Sequence, residues 1–314
     1  MKVAIYHPDT SMAGDLHDHL IGQHPELQVA AASAPDTLDD ILTEAEVLLA
    51  FRPPADSLAK AANLRWLHHT SAGVDALMPA RDHLNGVTVT NSSGIHSLIA
   101  DYCICTILML HWNFPKVLEN QRNRNWSMFR TPPLEEFTLG IVGLGSIGKE
   151  VVRRAQGCSM NIVGMRRSGD PVPGVSQVYR PDQMAEMLPQ CDFVVLATPG
   201  TAETRKLIGA PELELMKDTA FLINVGRGDV VDEAAVTHAL QSGQIAGAAL
   251  DVFEQEPLPD DSPLWSMENV IVTPHVSGTT SRYTERVVGK FCENLEKYRA
   301  GEPLPNIVDL DRGY

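Results

Sequence analysis

Residues 138–155, TLGIVGLGSIGKEVVRRA, constrain the fold more than any other part of the chain. A strand-like apolar run leads into three glycines spaced GxGxxG, and a helix-like stretch follows at once. In such a turn one glycine permits the tight bend, one lets the backbone approach a pyrophosphate, and one lets helix and strand pack closely. The free N–H groups at the helix N-terminus then attract phosphates. The spacing alone also fits a plain tight turn, but this context predicts dinucleotide binding. The contacts expected from the turn are Gly143, Gly145, Ser146, Ile147 and Gly148.

Short apolar runs alternate with helix-like stretches along the chain, which is typical of parallel sheets covered by helices. The first series predicts strands at Val3–Tyr6, Gln28–Ala32, Val47–Phe51, Trp66–Thr70 and Val87–Thr90. The second series predicts strands at Thr138–Val142, Asn161–Met165, Phe193–Ala197, Ala220–Val225, Ala246–Leu250 and Val270–Thr273. Between the strands, helices are predicted at Ser11–Gly22, Asp56–Ala62, Lys149–Gln156, Asp182–Met187, Pro211–Met216 and Glu233–Ser242. A length of 314 residues accommodates two domains. We therefore predict an α/β fold with two doubly wound domains, each built on a parallel sheet.

Two segments do not fit the alternation. Ile95–Trp112 is long and mostly apolar, and it predicts a buried helix. The polar stretch from Asn113 to Phe137 contains three prolines and predicts a long connection or arm of the kind that carries a subunit contact. After the second series, a last helix at about Ser281–Ala300 places an apolar face along one side.

Charge and composition exclude several classes of protein. The formal net charge of −15 argues against a general nucleic-acid surface, which needs clustered Lys and Arg. No apolar run approaches the length of about 20 residues needed to cross a bilayer, and no secretory signal is visible. The five cysteines are odd in number and lack CxxC spacing, which supports neither a disulfide framework nor a zinc site. We predict a cytoplasmic protein with buried free thiols, no metal site, and neither nucleic acid nor membrane as a partner.

The strand after the Gly-rich turn bears on which nicotinamide nucleotide is used. An NAD-preferring fold usually has Asp or Glu at the end of that strand, where it binds the ribose hydroxyls. This chain has Arg166 and Arg167 there instead. An arginine can pair with the 2′-phosphate of NADP(H), whereas a carboxylate would repel it. We predict a preference for NADP(H), with NAD(H) use left open if the two arginines are merely solvated.

Three later motifs carry residues suited to reducing a 2-oxo acid. NVGRGDVV supplies Arg227, DVFEQEPLP supplies Glu256 and VTPHVSG supplies His275, each just beyond a predicted strand. Ligands bind at the carboxyl edge of such sheets. A guanidinium can hold a carboxylate with two parallel hydrogen bonds. An imidazole titrates near neutral pH and can give a proton to the ketone oxygen as hydride reaches the carbon. The neighbouring carboxylate would orient the imidazole and favour its protonated form.

Each of these residues also has an ordinary structural interpretation. Arg227 could be a surface residue in a turn, Glu256 a solvated loop carboxylate, and His275 a hydrogen-bonded structural histidine. Their joint occurrence after the Gly-rich turn favours the catalytic interpretation. His96 is predicted to support structure more than to act in catalysis. Arg52, at a predicted strand end, is a weaker candidate for binding an anionic substrate.

The order of GLGSIG, NVGRGDVVDEAAV, GAALDVFEQEPLP and NVIVTPHVSG resembles the D-isomer-specific 2-hydroxyacid dehydrogenase family. The short length, the pair Arg166 and Arg167 and the C-terminal segment DRGY most resemble the glyoxylate/hydroxypyruvate reductase branch of that family. The resemblance implies a Rossmann nucleotide domain, residues 102–281, inserted into a flavodoxin-like substrate domain made of 1–101 and 282–314. It assigns the family's Arg, Glu and His to Arg227, Glu256 and His275. It also makes TSAGVD the substrate loop, whose backbone N–H groups at Ala72, Gly73 and Val74 meet the substrate carboxylate. Asp101 stands where the family more often has Glu.

Further nucleotide contacts are expected at the ends of the later strands. They are Thr198, Pro199, Thr204, Val225, Gly226, Asp251, Ser277 and Gly278. The resemblance implies a homodimer and reduction of a small 2-oxo acid, such as glyoxylate or hydroxypyruvate, to the D-2-hydroxy acid. Two alternatives stay open at this point: an NAD-dependent dehydrogenase of the same type, and a non-catalytic protein that senses nucleotides.

Overall fold

The computed structural model describes residues 1–314, which form two compact units. Met1–Ile95 and Thr280–Tyr314 build the first unit, and His96–Thr279 builds the second. The second unit is therefore an insertion within the first along the chain. Both junctions lie slightly before the predicted limits, 101/102 and 281/282. At the first junction this is because Ile99 and Ala100 are buried in the core of the inserted unit.

Regular structure accounts for twelve strands and ten α-helices. The strands are β1 Lys2–Tyr6, β2 Gln28–Ala32, β3 Val47–Ala50, β4 Trp66–His69, β5 Thr88–Asn91, β6 Thr138–Val142, β7 Asn161–Met165, β8 Gln177–Tyr179, β9 Phe193–Leu196, β10 Phe221–Asn224, β11 Gly247–Leu250 and β12 Val270–Val272. The helices are α1 Thr10–Gln23, α2 Pro35–Leu42, α3 Ala55–Leu58, α4 Leu98–His111, α5 Phe114–Arg122, α6 Ser146–Ala155, α7 Met184–Met187, α8 Ala210–Leu215, α9 Glu233–Ser242 and α10 Tyr283–Ala300.

The first unit is built on a five-stranded parallel sheet in the order β2-β1-β3-β4-β5. This is the flavodoxin-like strand order, as predicted. Helix α10, from the C-terminal end of the chain, packs on the sheet through stacked aromatic rings. The ring centroids of Trp66 in β4 and Phe291 in α10 are 4.9 Å apart, and the ring of Tyr298 lies 5.2 Å from that of Trp66. Burial of these rings joins the two ends of the chain in one core.

The second unit is built on a seven-stranded parallel sheet in the order β12-β11-β10-β9-β6-β7-β8. Read from the β8 edge, this is the Rossmann order with one more strand, as predicted. The order reverses between β6 and β9, so the crevice at their carboxyl ends is the expected ligand site. Both faces of the sheet carry buried apolar clusters, which explains why its central strands are nearly uniform apolar runs.

Several elements depart from the sequence-based predictions. Helix α2 and strand β8 were not predicted. Because β8 adds a strand to the second sheet, His275 follows the seventh strand of that sheet, β12, and not the sixth. The predicted connection from Asn113 to Phe137 begins with helix α5, whose first turn contains Pro115. Proline is tolerated at that position because the N–H it lacks would have no helical acceptor. The helix predicted at Asp56–Ala62 is only the four-residue α3.

No single helix has the length and apolar character needed to span a bilayer. Helices α4 and α5, bent by 62° at the break between them, meet that test only when taken together, by length and composition.

Candidate active site and nucleotide site

The Gly-rich turn joins β6 to α6, and its glycines meet different steric demands. Gly143 has φ +103°, and a Cβ there would lie 2.7 Å from the carbonyl oxygen of Ala197. A Cβ on Gly148 would lie 2.1 Å from the carbonyl oxygen of Gly143, so this glycine lets the helix approach the strand. Gly145 faces open space, and a Cβ there would have no neighbouring atom within 4 Å. Steric need therefore accounts for the first and third glycines, and the space beside the second leaves room for a phosphate.

A buried hydroxyl beside this turn also fits a bound nucleotide. The Oγ1 atom of Thr198 is buried and has no hydrogen-bond partner. Its Cγ2 atom would lie 2.9 Å from a Cβ on Gly143, so the hydroxyl belongs to the wall of the same turn. Unpaired buried polar atoms are uncommon in proteins and call for a partner such as a ligand or an ordered water. The turn, the start of α6 and Thr198 together fit a nicotinamide dinucleotide.

The two arginines predicted to recognise a 2′-phosphate follow β7. Arg166 is half-buried, and its backbone N–H donates to the carbonyl oxygen of Tyr179 at 3.0 Å. Arg167 is exposed, and its Nη2 donates to the Oε2 of Glu203 in the loop between β9 and α8. Sequence reasoning did not single out Glu203, because the two residues are far apart along the chain.

The remaining predicted nucleotide contacts lie at strand ends of the same sheet, and some already serve the loops that hold them. The hydroxyl of Thr204 donates to the carbonyl oxygen of Pro199 at 2.6 Å and accepts from the N–H of Thr201 at 2.9 Å. These bonds fold the loop after β9 into a compact turn. The others lie in the segments that follow β10 and β12: Val225, Gly226, Ser277 and Gly278.

His275 and Glu256 form a hydrogen-bonded pair. The Nδ1 of His275 lies 2.7 Å from the Oε2 of Glu256, and about two fifths of each side chain is exposed, 45% and 36%. The other carboxylate oxygen, Oε1, accepts from the backbone N–H of Phe253 at 3.0 Å. Glu256 is therefore fixed at one oxygen and orients the imidazole with the other. The Nε2 of His275 is the ring nitrogen left for a substrate.

The loop that carries His275 is organised by Asp251, a fully buried carboxylate at the end of β11. Its oxygens accept from the hydroxyl of Thr273 at 2.6 Å and from the N–H groups of Val276 and Ser277 at 2.9 and 3.0 Å. Its backbone carbonyl accepts from the N–H of His275 at 2.9 Å. The sequence predicts a nucleotide contact for Asp251; these hydrogen bonds give it a positioning role for His275.

Tyr102 adds a second contact to the same loop. Its hydroxyl lies 2.8 Å from the Oγ1 of Thr273, and burial raises its pKa, so the phenol stays protonated. Sequence reasoning missed Tyr102, because an aromatic residue within an apolar helix is usually part of the core.

Arg227 follows β10 in a turn held by Asn224. The side chain of this buried asparagine accepts from the N–H of Gly226 at 3.1 Å and donates to the carbonyl oxygen of Arg227 at 3.0 Å. A Cβ on Gly228 would lie 1.9 Å from the carbonyl group of Phe253 and 2.5 Å from the N–H nitrogen of Glu254. The turn of Arg227 is therefore in backbone contact with the loop of Glu256. The only sequence signal for Asn224 was a polar residue ending an apolar strand.

The predicted substrate loop lies in the first unit, after β4. The side-chain amide of Asn91 donates to the carbonyl oxygen of Ala72 at 2.7 Å, and the N–H of Ser92 donates to that of Ser71 at 3.2 Å. These bonds tie the backbone of the loop to the end of β5. Gly73 is half-buried, and the side chain of Val74 is buried in the core.

Arg52 and two histidines lie at the carboxyl ends of neighbouring strands in the first unit. Arg52 has a left-handed backbone, φ 48°, and its guanidinium carbon lies 5.1 Å from the ring centroid of Phe51. The ring of Phe51 also stacks on His7 at 5.0 Å and lies 6.2 Å from the ring of His69. Of these residues, only Arg52 was predicted from the sequence as a candidate for substrate binding.

His96, predicted to support structure, lies beside the loop after His275. A Cβ on Gly278 would lie 3.5 Å from its Nδ1. No group of three or more His, Cys, Asp and Glu residues is placed to hold a metal ion. All five cysteines are free thiols, but the expectation that they are buried is wrong for Cys105, which is exposed, and for the half-buried Cys158.

A Rossmann sheet with a Gly-rich turn at its switch point, and a histidine–carboxylate pair at the same edge, defines a nicotinamide-dependent oxidoreductase. Residues 104–277 match the family model described as D-isomer specific 2-hydroxyacid dehydrogenase, NAD binding domain. The chain belongs to this family of NAD(P)-dependent enzymes, which confirms the resemblance seen in the sequence.

Three relatives illustrate the similarity. The chain is 34% identical over 307 residues to a glyoxylate reductase from Korarchaeum cryptofilum, covering 93% of this chain and 92% of that protein. It is 33% identical over 299 residues to a D-3-phosphoglycerate dehydrogenase from Methanocaldococcus jannaschii, with 91% of this chain matched; the match spans only 56% of that longer protein. Among solved structures, a D-isomer specific 2-hydroxyacid dehydrogenase from Xanthobacter autotrophicus Py2, in complex with NADPH and MES, is 33% identical, with a TM-score of 0.89 and 99% of both chains covered.

Proposed function

We propose that the protein reduces a small 2-oxo acid, of the size of glyoxylate or hydroxypyruvate, to the D-2-hydroxy acid with NADPH. The observation that carries this proposal is the hydrogen bond between His275 and Glu256, 2.7 Å long, in the same unit as the Gly-rich turn. The family membership supports the reaction type, and the similarity to a glyoxylate reductase supports the substrate size.

The acid–base step follows from the orientation of the imidazole. In the protonated form, Nδ1–H donates to Glu256 and Nε2–H donates to the ketone oxygen of the substrate. The bound nucleotide supplies the hydride to the carbonyl carbon. As the oxygen gains negative charge, His275 transfers the Nε2 proton to it and becomes neutral. In the oxidative direction, neutral His275 accepts the hydroxyl proton, and Glu256 stabilises the imidazolium that forms.

In the second unit, Arg227 is the residue that we assign to the carboxylate of the substrate. Arg227 supplies a guanidinium that can form two parallel charge-assisted hydrogen bonds. For the first unit by itself, the resemblance implies that backbone N–H groups of Ala72, Gly73 and Val74 can bind a carboxylate. Arg52 is a further candidate cation in this unit for an anionic substrate. The contact between the turn of Arg227 and the loop of Glu256 supports a common site for carboxylate binding and proton transfer.

The preference for NADP(H) is assigned to Arg166 and Arg167. Both follow β7, and Asp170 is the nearest acidic residue along the chain. A guanidinium binds a 2′-phosphate strongly, while the hydroxyl of NAD(H) offers it only a neutral partner. The relative bound to NADPH supports the assignment. Use of NAD(H) stays the alternative.

Steady-state assays on a panel of 2-oxo acids, run with NADPH and with NADH, test the function. We expect loss of absorbance at 340 nm and a higher kcat/KM with NADPH. His275→Ala should lower kcat by about 10²–10⁴-fold, the usual contribution of a general acid. Arg227→Ala should raise the KM for the 2-oxo acid about a hundredfold, because a charge-assisted fork is lost.

His238→Ala is the matched control, since it removes an exposed histidine from helix α9 of the same unit. It should leave both constants unchanged. Absence of turnover on every 2-oxo acid with both nucleotides would refute the proposed reaction. Nucleotide binding without turnover, together with partner capture that survives His275→Ala, would instead identify a nucleotide-sensing protein.

We also infer that the protein is a homodimer in the cytoplasm. Large apolar side chains are exposed along residues 112–129, where Trp126 is 93% and Met128 is 87% exposed. A patch of this kind usually marks an interaction surface. The connecting arm predicted from the sequence, Asn113 to Phe137, includes all of these exposed side chains except Trp112.

A further inference from the structure

The ion pair between Arg167 and Glu203 links the loops that follow β7 and β9, the strands on either side of β6. In the sheet, β6 lies between β9 and β7. Arg167 lies just after β7, and Glu203 lies in the loop that follows β9. Neighbouring strands are about 4.8 Å apart, so β7 and β9 are roughly 10 Å apart, with β6 and the Gly-rich turn that follows it between them. The ion pair therefore passes beside the Gly-rich turn, where the nucleotide phosphates are expected to bind.

The pair is open to solvent and can exchange partners. The side chain of Arg167 is 46% exposed and that of Glu203 is 70% exposed. Exposed ion pairs contribute little to stability, so a ligand with a stronger anion can replace the carboxylate. The Glu203 oxygen occupies Nη2 of Arg167, one of the donors that a phosphate would use.

The folding of the loop after β9 does not explain why residue 203 carries a carboxylate. Glu203 has no other hydrogen bond or ion pair, whereas Thr201 and Thr204 on either side hold the loop together. Loop folding therefore does not require its side chain. Its contact is with one of the two arginines that follow β7, in a segment that lacks the acidic residue typical of NAD-binding folds.

We propose that Glu203 is a specificity-determining residue, whose carboxylate competes with the 2′-phosphate of NADP(H) for Arg167 and so limits the preference for NADP(H) over NAD(H). This inference rests on the nucleotide site proposed above. NADP(H) must displace the carboxylate and also experiences its repulsion. NAD(H) has a neutral hydroxyl at that position and can bind with the ion pair intact.

Binding of NADPH and NADH to Glu203→Gln, measured by nucleotide fluorescence without substrate at low ionic strength, tests the proposal. The variant should bind NADPH up to about fivefold more tightly than the wild type, the upper limit for an exposed ion pair. Its Kd for NADH should not decrease. Glu293→Gln is the matched control, because it removes the same charge from an exposed ion pair with Lys290 on helix α10. It should change neither Kd.

The Arg167→Ala background separates competition for the guanidinium from a general charge effect. There, Glu203→Gln should no longer strengthen NADPH binding. A gain that persists without Arg167, an equal gain for NADH, or no gain in the wild-type background would overturn the proposal. Weaker binding of both nucleotides to Glu203→Gln would mean that the ion pair helps to hold the bound nucleotide. This result would also overturn the proposal.

These outcomes are distinct from failure of the proposed function. If the wild type binds neither nucleotide, the nucleotide site itself is refuted. If it binds both nucleotides but reduces no 2-oxo acid, the reaction is refuted while the binding comparison still decides the role of Glu203.

Discussion

His275 has a left-handed backbone, φ 52°, which non-glycine residues rarely adopt. Such conformations cost about 1–3 kcal/mol and persist where surrounding contacts enforce them. Here Asp251 supplies those contacts, through its carbonyl oxygen to the N–H of His275 and through its carboxylate to the two residues that follow. The strain therefore lies at the residue proposed to transfer the proton, and the hydrogen bonds of Asp251 hold the backbone of His275 in this conformation.

A second histidine, His68 in β4, titrates far from its usual range. It is fully buried, with Nδ1 2.8 Å from the hydroxyl of Thr90 and Nε2 3.0 Å from that of Ser92. Burial, with smaller contributions from His69 and Lys290, lowers its pKa to about 3. The folded protein therefore keeps this imidazole neutral, while the unfolded chain takes up a proton below the ordinary pKa of about 6.5.

Because the unfolded state binds the extra proton, stability is full above pH 6.5 and declines as the pH falls toward 3. Between pH 7 and pH 5, we expect the wild type to lose about 2 kcal/mol of its free energy of unfolding relative to the His68→Gln variant. Urea unfolding of both proteins at the two pH values measures this shift. A difference that stays constant with pH would contradict the prediction.

Among the elements, helix α9 and the loop that carries Glu256 are joined by a reciprocal pair of hydrogen bonds. The N–H of Glu254 donates to a carboxylate oxygen of Glu233 at 3.0 Å, and the N–H of Glu233 donates to a carboxylate oxygen of Glu254 at 3.2 Å. This exchange also satisfies a free donor at the start of α9. The helix thus anchors the loop two residues before Glu256.

Glu233→Ala should therefore lower kcat by about ten- to a hundredfold, because small misplacements of catalytic groups have effects of this size. The KM for the nucleotide should not change. Glu233→Gln keeps an oxygen that can accept from Glu254 and should restore most of the activity. Glu296→Ala, an exposed position on helix α10, is the control. Equal loss in the Ala and Gln variants would contradict a role through this hydrogen bond.

The elements were predicted correctly where the sequence carries a clear local signal, such as an apolar run for a strand or capping residues for a helix. The central strands β6, β7 and β9 are runs of buried apolar residues, and helix α9 begins at the N-cap Asp232 and ends at Gly243. Strand β8 was not predicted because it is only three residues long and lies at the edge of the sheet, so its apolar pattern is short. Helix α2 buries only Leu38 and Leu42 and follows an Ala/Ser-rich stretch, so its sequence signal is short.

At the scale of the whole molecule, the proposed dimer can be tested through the exposed apolar residues of the arm. Two-fold dimers bury the same patch on both subunits, so each substitution is counted twice in the interface. We expect the wild type to sediment as a dimer and the variant with Trp126→Ser and Met128→Ser to shift toward the monomer. Leu215→Ser, which makes an apolar-to-polar change at an exposed position on α8, should remain dimeric. A wild type that sediments as a monomer would contradict the inference.

The amino-acid sequence determined the two parallel sheets, the Gly-rich turn and the identity of Arg227, Glu256 and His275, because local spacing governs backbone conformation and burial. The contact of Glu256 with His275 was also expected from the sequence, because a carboxylate near the imidazole suits proton transfer. Only the tertiary structure decided that Arg167 meets Glu203 and that Glu233 meets Glu254. The reason is that these partners lie on loops, or at the start of a helix, that follow different strands. Strand order in the sheet brings such loops together, and no local pattern specifies which side chains will then be in contact.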